Sequence, residues 1–180
     1  RRLIEQQQVV RTQQQLGAVY RGLLHDRQRN LRKSLSALQA SLEVFTRESF
    51  PSEWAQTQYE LGMTYMSSLS QYPETLQYSE TDRRNVENSV QPIMSLDSRN
   101  SRRDTPERPD ENVLGRTRPD FLLQSLNCLQ ACLEVYTREQ FPLQWARAQY
   151  NLANLYCLLP TDDRYATLHK AITCYEAALE

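Results

Sequence analysis

Few side chains in this sequence are placed to do chemistry. The 180 residues contain two histidines, His25 and His169, and neither has a serine, cysteine or aspartate beside it in a recognisable nucleophile context. Four scattered glycines are too few for a glycine-rich loop that cradles phosphate. We therefore expect no catalytic residue, no cofactor and no enzymatic activity in this chain.

The four cysteines raise the question of a metal. Cys128 and Cys132 lie one helical turn apart, and His169 could complete a zinc site with them. Cys132 aligns, however, with Ser41 and Ala178 in other copies of a repeated pattern. Small side chains at helix contacts explain this better than metal ligands do, so we expect no metal site. Cysteines without paired spacing or a secretory signal also favour reduced thiols in the cytoplasm.

The carboxylates are equally unlike an acid–base pair. Glu43 precedes Arg47 by four residues, and Glu134 precedes Arg138 by the same spacing, within a repeated Glu-Val-Phe/Tyr-Thr-Arg-Glu segment. On a helix this spacing predicts an exposed ion pair worth a few tenths of a kcal/mol. The repeated glutamates are therefore interpreted as structural.

Overall charge limits the classes of partner. Lys and Arg number 21 against 22 Asp and Glu, and a dedicated nucleic-acid or anionic-membrane binder usually carries a basic excess. No apolar run approaches the roughly 18 residues that span a bilayer. One basic patch, Arg27, Arg29, Arg32 and Lys33, is read as a solvated helix face, with contact to an acidic partner as the alternative. We expect neither a nucleic acid nor a membrane as partner.

Internal repeats predict the architecture. The stretch 38–65 is copied closely at 129–156, an offset of 91 residues. A fainter copy of residues 58–65 lies 45 residues upstream, at 13–20, and a copy of residues 125–134 lies 46 residues downstream, at 171–180. We interpret 45–46 as the true period, and 91 as two periods with a degraded copy between them. Such a period indicates stacked supersecondary units.

Each unit predicts two helices. Helix A carries Leu61 and Tyr65 four residues apart, with the small Gly62 between them to let a neighbour approach. Helix B repeats leucines at spacings of three and four, as at Leu35 and Leu38. A spacing of this kind is not the period of two that strands require.

The connection from helix B to the next helix A carries a Phe-Pro signal. Phe50-Pro51 and Phe141-Pro142 should end helix B, because the residue before proline avoids the helical region and proline suits the first turn of the next helix. Trp54 and Trp145 follow three residues later. We expect both rings to wedge between adjacent units.

The middle of the chain departs from the repeat. Residues 85–94 faintly resemble a helix B, and 97–119 combine arginines, acidic residues and three prolines with almost no apolar side chain. We expect 97–119 to be a mobile loop, with a docking or processing segment as the alternative. The predicted organisation is helix pairs over 1–96, the last one degenerate, the loop 97–119, and helix pairs over 120–180 that continue beyond the chain end.

These repeats resemble the tetratricopeptide repeat family, whose helix A carries Leu-Gly-x-x-Tyr. Leu61-Gly62 with Tyr65 fits that pattern, as does Leu152-Ala153 with Tyr156. The period is longer than the family's, about 34 residues, and looks like the long-period repeats of cyanobacterial and related bacterial signalling proteins. The resemblance implies an all-α fold, an α-solenoid of antiparallel helix pairs.

In that family helix A lines a concave groove that holds partner segments. The resemblance therefore implies a non-enzymatic scaffold for protein–protein interaction, binding a protein or peptide partner and forming part of a larger signalling or regulatory protein. Two alternatives are a self-assembling homo-oligomer and a regulatory domain attached to a caspase-like peptidase or another effector. The implied groove residues are Arg11, Gln14, Gln56, Tyr59, Met63, Arg147, Tyr150, Asn151 and Asn154.

Overall fold

A computed structural model describes residues 2–71, 80–90 and 118–180, and all of their regular structure is helical. The described residues form seven α-helices, α1 (Arg2–Gly22), α2 (Arg27–Leu42), α3 (Pro51–Ser68), α4 (Glu80–Val90), α5 (Arg118–Leu133), α6 (Pro142–Leu158) and α7 (Arg164–Leu179). A 3₁₀ turn, Leu69–Gln71, extends α3. Within these described residues, no helix has both the length and the apolar content needed to cross a bilayer. The expectation of an all-α protein is confirmed.

The Phe-Pro signal starts two helices as predicted. Pro51 and Pro142 occupy the first turns of α3 and α6, where the absent N–H would have no helical partner. Phe50 and Phe141 precede them with ψ angles of 66° and 60°, outside the helical region. The same local sequence therefore produces the same backbone corner twice.

Three helix pairs form the body of the described structure, α1 with α2, α3 with α5, and α6 with α7. Glycine permits close packing in two of them. A Cβ atom on Gly17 would lie 2.7 Å from Leu38 Cγ, and one on Gly62 would lie 3.1 Å from Leu129 Cγ. Each glycine of helix A thus provides the space into which a leucine of its helix B packs.

The pairing of α3 with α5 corrects the two-period interpretation of the 91-residue offset. Ser125 on α5 donates a hydrogen bond to the Gly62 carbonyl on α3 (2.9 Å), so these helices pack as closely as α1 and α2 do. Residues 72–117 are therefore an insertion between the two helices of one pair. Closing a longer connection costs little extra entropy, because the cost grows only with the logarithm of its length.

The predicted loop 97–119 lies mostly outside the described residues, as do residues 91–94 of the predicted helix B. The last two residues of the predicted loop, Arg118 and Pro119, are buried in the first turn of α5, so this helix begins two residues earlier than predicted. Residues 85–90 are helical, within α4. Fully buried Val86 ties α4 to the main core, and Arg83 forms an ion pair with Asp162 (3.0 Å).

Successive pairs are joined by α2 packing on α3 and by α5 packing on α6. The repeated arginine links each corner to the following pair: Arg47 forms an ion pair with Glu134, and Arg138 forms one with Glu180. The expectation of pairs within one helix, four residues apart, is wrong. Each arginine leaves its own segment because the corner before proline turns the chain away from helix B.

A small aromatic cluster fills the region where the corners meet. It is built on buried Ala55, Cys132, Tyr136 and Ala148, and both tryptophans pack against it while remaining partly exposed. The Arg47 guanidinium lies 5.8 Å from the centre of the Trp54 ring, and Arg138 lies at the same distance from Trp145. The tryptophans are therefore partly buried wedges, each covered by the arginine of its own corner.

Candidate partner-binding site

Six of the nine predicted groove residues lie along two contacts between the A-type helices, which are α1, α3 and α6. The first junction is the contact of α1 with α3. The second junction is the contact of α3 with α6, where Asn151 Nδ2 donates a hydrogen bond to the Tyr59 hydroxyl (2.9 Å). Both involve α3, so the two surfaces can be compared position by position along the repeat.

At the first junction a buried glutamine and an ion pair fill the space between the helices. Gln14 Nε2 donates hydrogen bonds to Thr57 Oγ1 (2.8 Å) and to the Glu53 carbonyl (3.1 Å). Arg11 pairs with the Glu53 carboxylate at 2.7 Å. Since Gln14 is buried and both hydrogen bonds are internal, its predicted role in an open groove is corrected to a structural one.

A second ion pair closes the other end of the first junction. Arg21 Nη1 on α1 lies 2.8 Å from Glu60 Oε2 on α3, and both side chains are mostly buried. Removing either partner of a mostly buried pair is costly, because the remaining charge is then buried without a counter-charge. Surface pairs such as Arg11 with Glu53 are screened and contribute less.

At the second junction the equivalent positions carry neutral side chains. Tyr59, which aligns with Gln14, accepts the Asn151 hydrogen bond, and the Arg147 guanidinium lies 5.8 Å from the centre of its ring. Asn151 also bonds the Arg147 carbonyl (2.9 Å) and is nearly inaccessible, so its predicted groove role is likewise corrected. It holds the Tyr59 ring in place instead.

The second junction contains a pocket of about 220 Å³. It combines three predicted residues with four that sequence reasoning missed. The lining residues are Ser52, Gln56, Tyr59, Glu60, Tyr136, Gln144 and Arg147. The sequence did contain a signal for Tyr136. This residue aligns with Phe45, which is fully buried, and the two side chains differ by the hydroxyl group of the tyrosine. Burial raises the pKa of Tyr136 above its usual value near 10, so the phenol stays un-ionised.

The remaining predicted residues do not line this pocket. Tyr150 is exposed and packs edge-on against Tyr175, whose hydroxyl donates to Asn154 Oδ1 at 2.5 Å. Asn154 and Met63 are partly buried. Of the nine predicted groove residues, the structure therefore brings Gln56, Tyr59 and Arg147 together.

The candidate metal ligands belong to two helices, Cys128 and Cys132 to α5 and His169 to α7. Cys128 and Cys132 are core residues, and burial raises the pKa of each thiol to about 12, which disfavours the thiolate that zinc requires. His169 is exposed and packs on Tyr165. Across residues 2–71, 80–90 and 118–180, no three His, Cys, Asp or Glu side chains cluster as metal ligands would.

The basic patch on α2 is partly used inside the molecule. Arg27 donates to the Ser67 carbonyl on α3 (3.3 Å), and the Lys33 ammonium lies 5.1 Å from the centre of the Tyr20 ring. Arg29 is exposed. The four residues therefore do not share one free face.

No family model, curated protein or solved structure matches the chain.

Proposed function

We propose that the chain is a tetratricopeptide-like scaffold, in which antiparallel helix pairs stack as an α-solenoid and a partner peptide binds at the second junction. The observation that carries this proposal is the pocket between α3 and α6. In it, side chains from α3, from α6 and from the corner between α5 and α6 converge on one space of about 220 Å³.

The pocket exists because neutral residues replace the ion pair of the first junction. Gln56 and Gln144 stand at the positions that Arg11 and Glu53 occupy one unit earlier. Ala148 likewise replaces Thr57, the acceptor that holds Gln14. The two glutamines keep donors and acceptors on both walls without closing the gap between them.

This lining favours an extended peptide with an acidic side chain. Primary amides such as Gln56 and Gln144 carry both donors and acceptors, the groups that pair with a peptide backbone. Arg147 is exposed beside them and has the planar donor geometry that matches a carboxylate. Tyr59 contributes rigid aromatic surface of the kind enriched at interfaces.

The test is selection of peptides on the immobilised full chain from a phage-displayed random library. We expect acidic sequences, and we expect Arg147→Glu to weaken their binding about tenfold or more, because a charge-assisted contact is lost and repulsion replaces it. Fluorescence anisotropy of a labelled selected peptide measures this directly.

Arg29→Glu, an equal charge change on exposed surface of α2, is the matched control and should leave the affinity unchanged. Unchanged melting temperatures of both variants would separate loss of binding from loss of folding. Selected peptides that bind Arg147→Glu as tightly as the parent chain would contradict the proposed site.

The resemblance also supports a role inside a larger bacterial signalling or regulatory protein in the cytoplasm. The four cysteines are unpaired thiols, two of them in the core, as a reducing compartment favours. Attachment to a caspase-like peptidase or another effector is the form of this role that the long-period repeat suggests.

A further inference from the structure

Two apolar stripes are exposed at opposite ends of the described helices. On α1, Val9, Leu16 and Val19 recur at spacings of seven and three and are each more than two-fifths exposed. On α7, Tyr165, Leu168, Ile172 and Leu179 recur at three, four and seven and are also exposed. Both spacings place their residues on one helical face, and exposed apolar faces of this kind commonly mark interaction sites.

The α1 stripe has buried counterparts in the later A-type helices. Val19 is 59% exposed, whereas the aligned residues Thr64 on α3 and Leu155 on α6 are fully buried. The cover is the preceding B-type helix, since Ser34 on α2 hydrogen-bonds Thr64 (3.1 Å). The exposed α1 face is therefore shaped to receive a B-type helix.

The α7 stripe has buried counterparts in the earlier B-type helices. Ile172 is 51% exposed, whereas the aligned Leu35 on α2 and Leu126 on α5 are 3% and 0% exposed. These residues belong to helices that pack on the following A-type helix, α3 or α6. The exposed α7 face is therefore shaped to receive an A-type helix.

We infer that these two faces bind each other between copies, so that α7 of one chain packs on α1 of a second chain. The contact repeats, between molecules, the interface that joins α2 to α3 and α5 to α6 within one molecule. A second copy fits both faces, because each copy carries the face that is complementary to the exposed face of the other.

The polar rim supports the same register. Within one chain, Arg147 lies over the Tyr59 ring at the second junction. Tyr150 aligns with Tyr59, and Arg11 aligns with Arg147. Both Tyr150 and Arg11 are more than half exposed, so Arg11 of the second copy is placed to cover Tyr150 of the first.

This contact is head-to-tail, and it differs in kind from a two-fold dimer. Each copy binds one neighbour through its α7 face and another neighbour through its α1 face, so the assembly extends as a chain of copies or closes into a ring. It is also independent of the peptide pocket proposed above, since neither stripe lines that pocket.

The test is sedimentation velocity and light scattering on the full chain across a wide concentration range. We expect the mass to rise with concentration above the 21.1 kDa of one chain. Val19→Glu blocks the α1 face and Ile172→Glu blocks the α7 face, so each variant alone should remain monomeric. Mixed together, the two variants should form a one-to-one dimer through their intact faces, and this dimer should not extend further.

Thr173→Glu is the matched control, because Thr173 aligns with Ser36 and Asn127, which stay exposed in the earlier pairs. It should associate like the parent chain. A parent chain that stays monomeric at every concentration, a single variant that still self-associates, or a mixture that forms no dimer would each overturn the inference. Both variants should fold, because their substitutions lie on exposed surface, and circular-dichroism melts check this.

Discussion

The first and second junctions use the same face of the repeat and differ in what fills it. At the first, Gln14 and two arginine–glutamate pairs occupy the space between α1 and α3. At the second, the aligned residues are neutral and a pocket remains between α3 and α6. A repeated backbone therefore does not repeat its binding surface. A few side chains decide whether a junction is closed as a structural contact or open to a ligand.

The largest expected effect tests the buried ion pair of the first junction. Glu60→Ala should lower the free energy of unfolding by about 2 kcal/mol, because the mostly buried Arg21 loses its counter-charge. Urea denaturation measures the change. Glu43→Ala removes a carboxylate from an exposed position and is the control, expected within about 0.5 kcal/mol of the parent chain. Equal effects of the two substitutions would show that the buried pair contributes nothing special.

The buried glutamine of the first junction is the next test. Gln14→Ala removes two internal hydrogen bonds and should destabilise the fold by about 1.5 kcal/mol. Its neighbour Gln15 is exposed, so Gln15→Ala should change stability by less than about 0.5 kcal/mol. If Gln14→Ala leaves the stability unchanged, Gln14 is not a structural residue, and the groove role that the resemblance implied would stand.

A smaller effect is expected from the tyrosine of the second junction. Tyr59→Phe removes the acceptor of the Asn151 hydrogen bond and should cost about 1 kcal/mol, measured by thermal denaturation. Tyr150→Phe removes a hydroxyl from an exposed ring and is the control. If the two variants have the same melting temperature, the Tyr59 hydrogen bond does not stabilise the second junction.

The smallest change in stability should accompany the largest change in binding. The double variant Gln56→Arg with Gln144→Glu transfers the ion pair of the first junction to the second, and such a surface pair should alter stability by less than about 0.5 kcal/mol. The pair should also close the pocket, so a selected peptide should no longer bind in fluorescence anisotropy. Retained binding would break the proposed link between a neutral junction and an open one.

Local features of the fold were predictable because they depend on short-range spacing. The leucine pattern of α2 and α5 and the Phe-Pro corners before α3 and α6 follow from helix periodicity and from the restriction that proline imposes. The glycine at position 62 was correctly read as a site of close approach. The corner arginines were assigned to the wrong partners, because spacing within a helix says nothing about a carboxylate brought in by the next pair.

Part of the candidate site was predictable for the same reason. The register of helix A placed Gln56, Tyr59 and Arg147 on one face, and the structure brings these three together. It could not separate them from Gln14 and Asn151, which have the same kind of side chain on the same kind of helix but are buried. Burial of a polar group depends on which partners another helix supplies.

Residues within a few turns of one another were enough to predict that this protein is helical, that α3 and α6 begin at Pro51 and Pro142, and which helix faces are apolar. The tertiary structure was needed to show that α5, and not α4, completes the pair with α3. It also decided which junction is filled, through contacts such as Gln14 to Thr57 and Tyr59 to Asn151, which join residues 43 and 92 positions apart. Such contacts arise from the packing of whole helices, and similarity between repeats cannot rank one pairing above another.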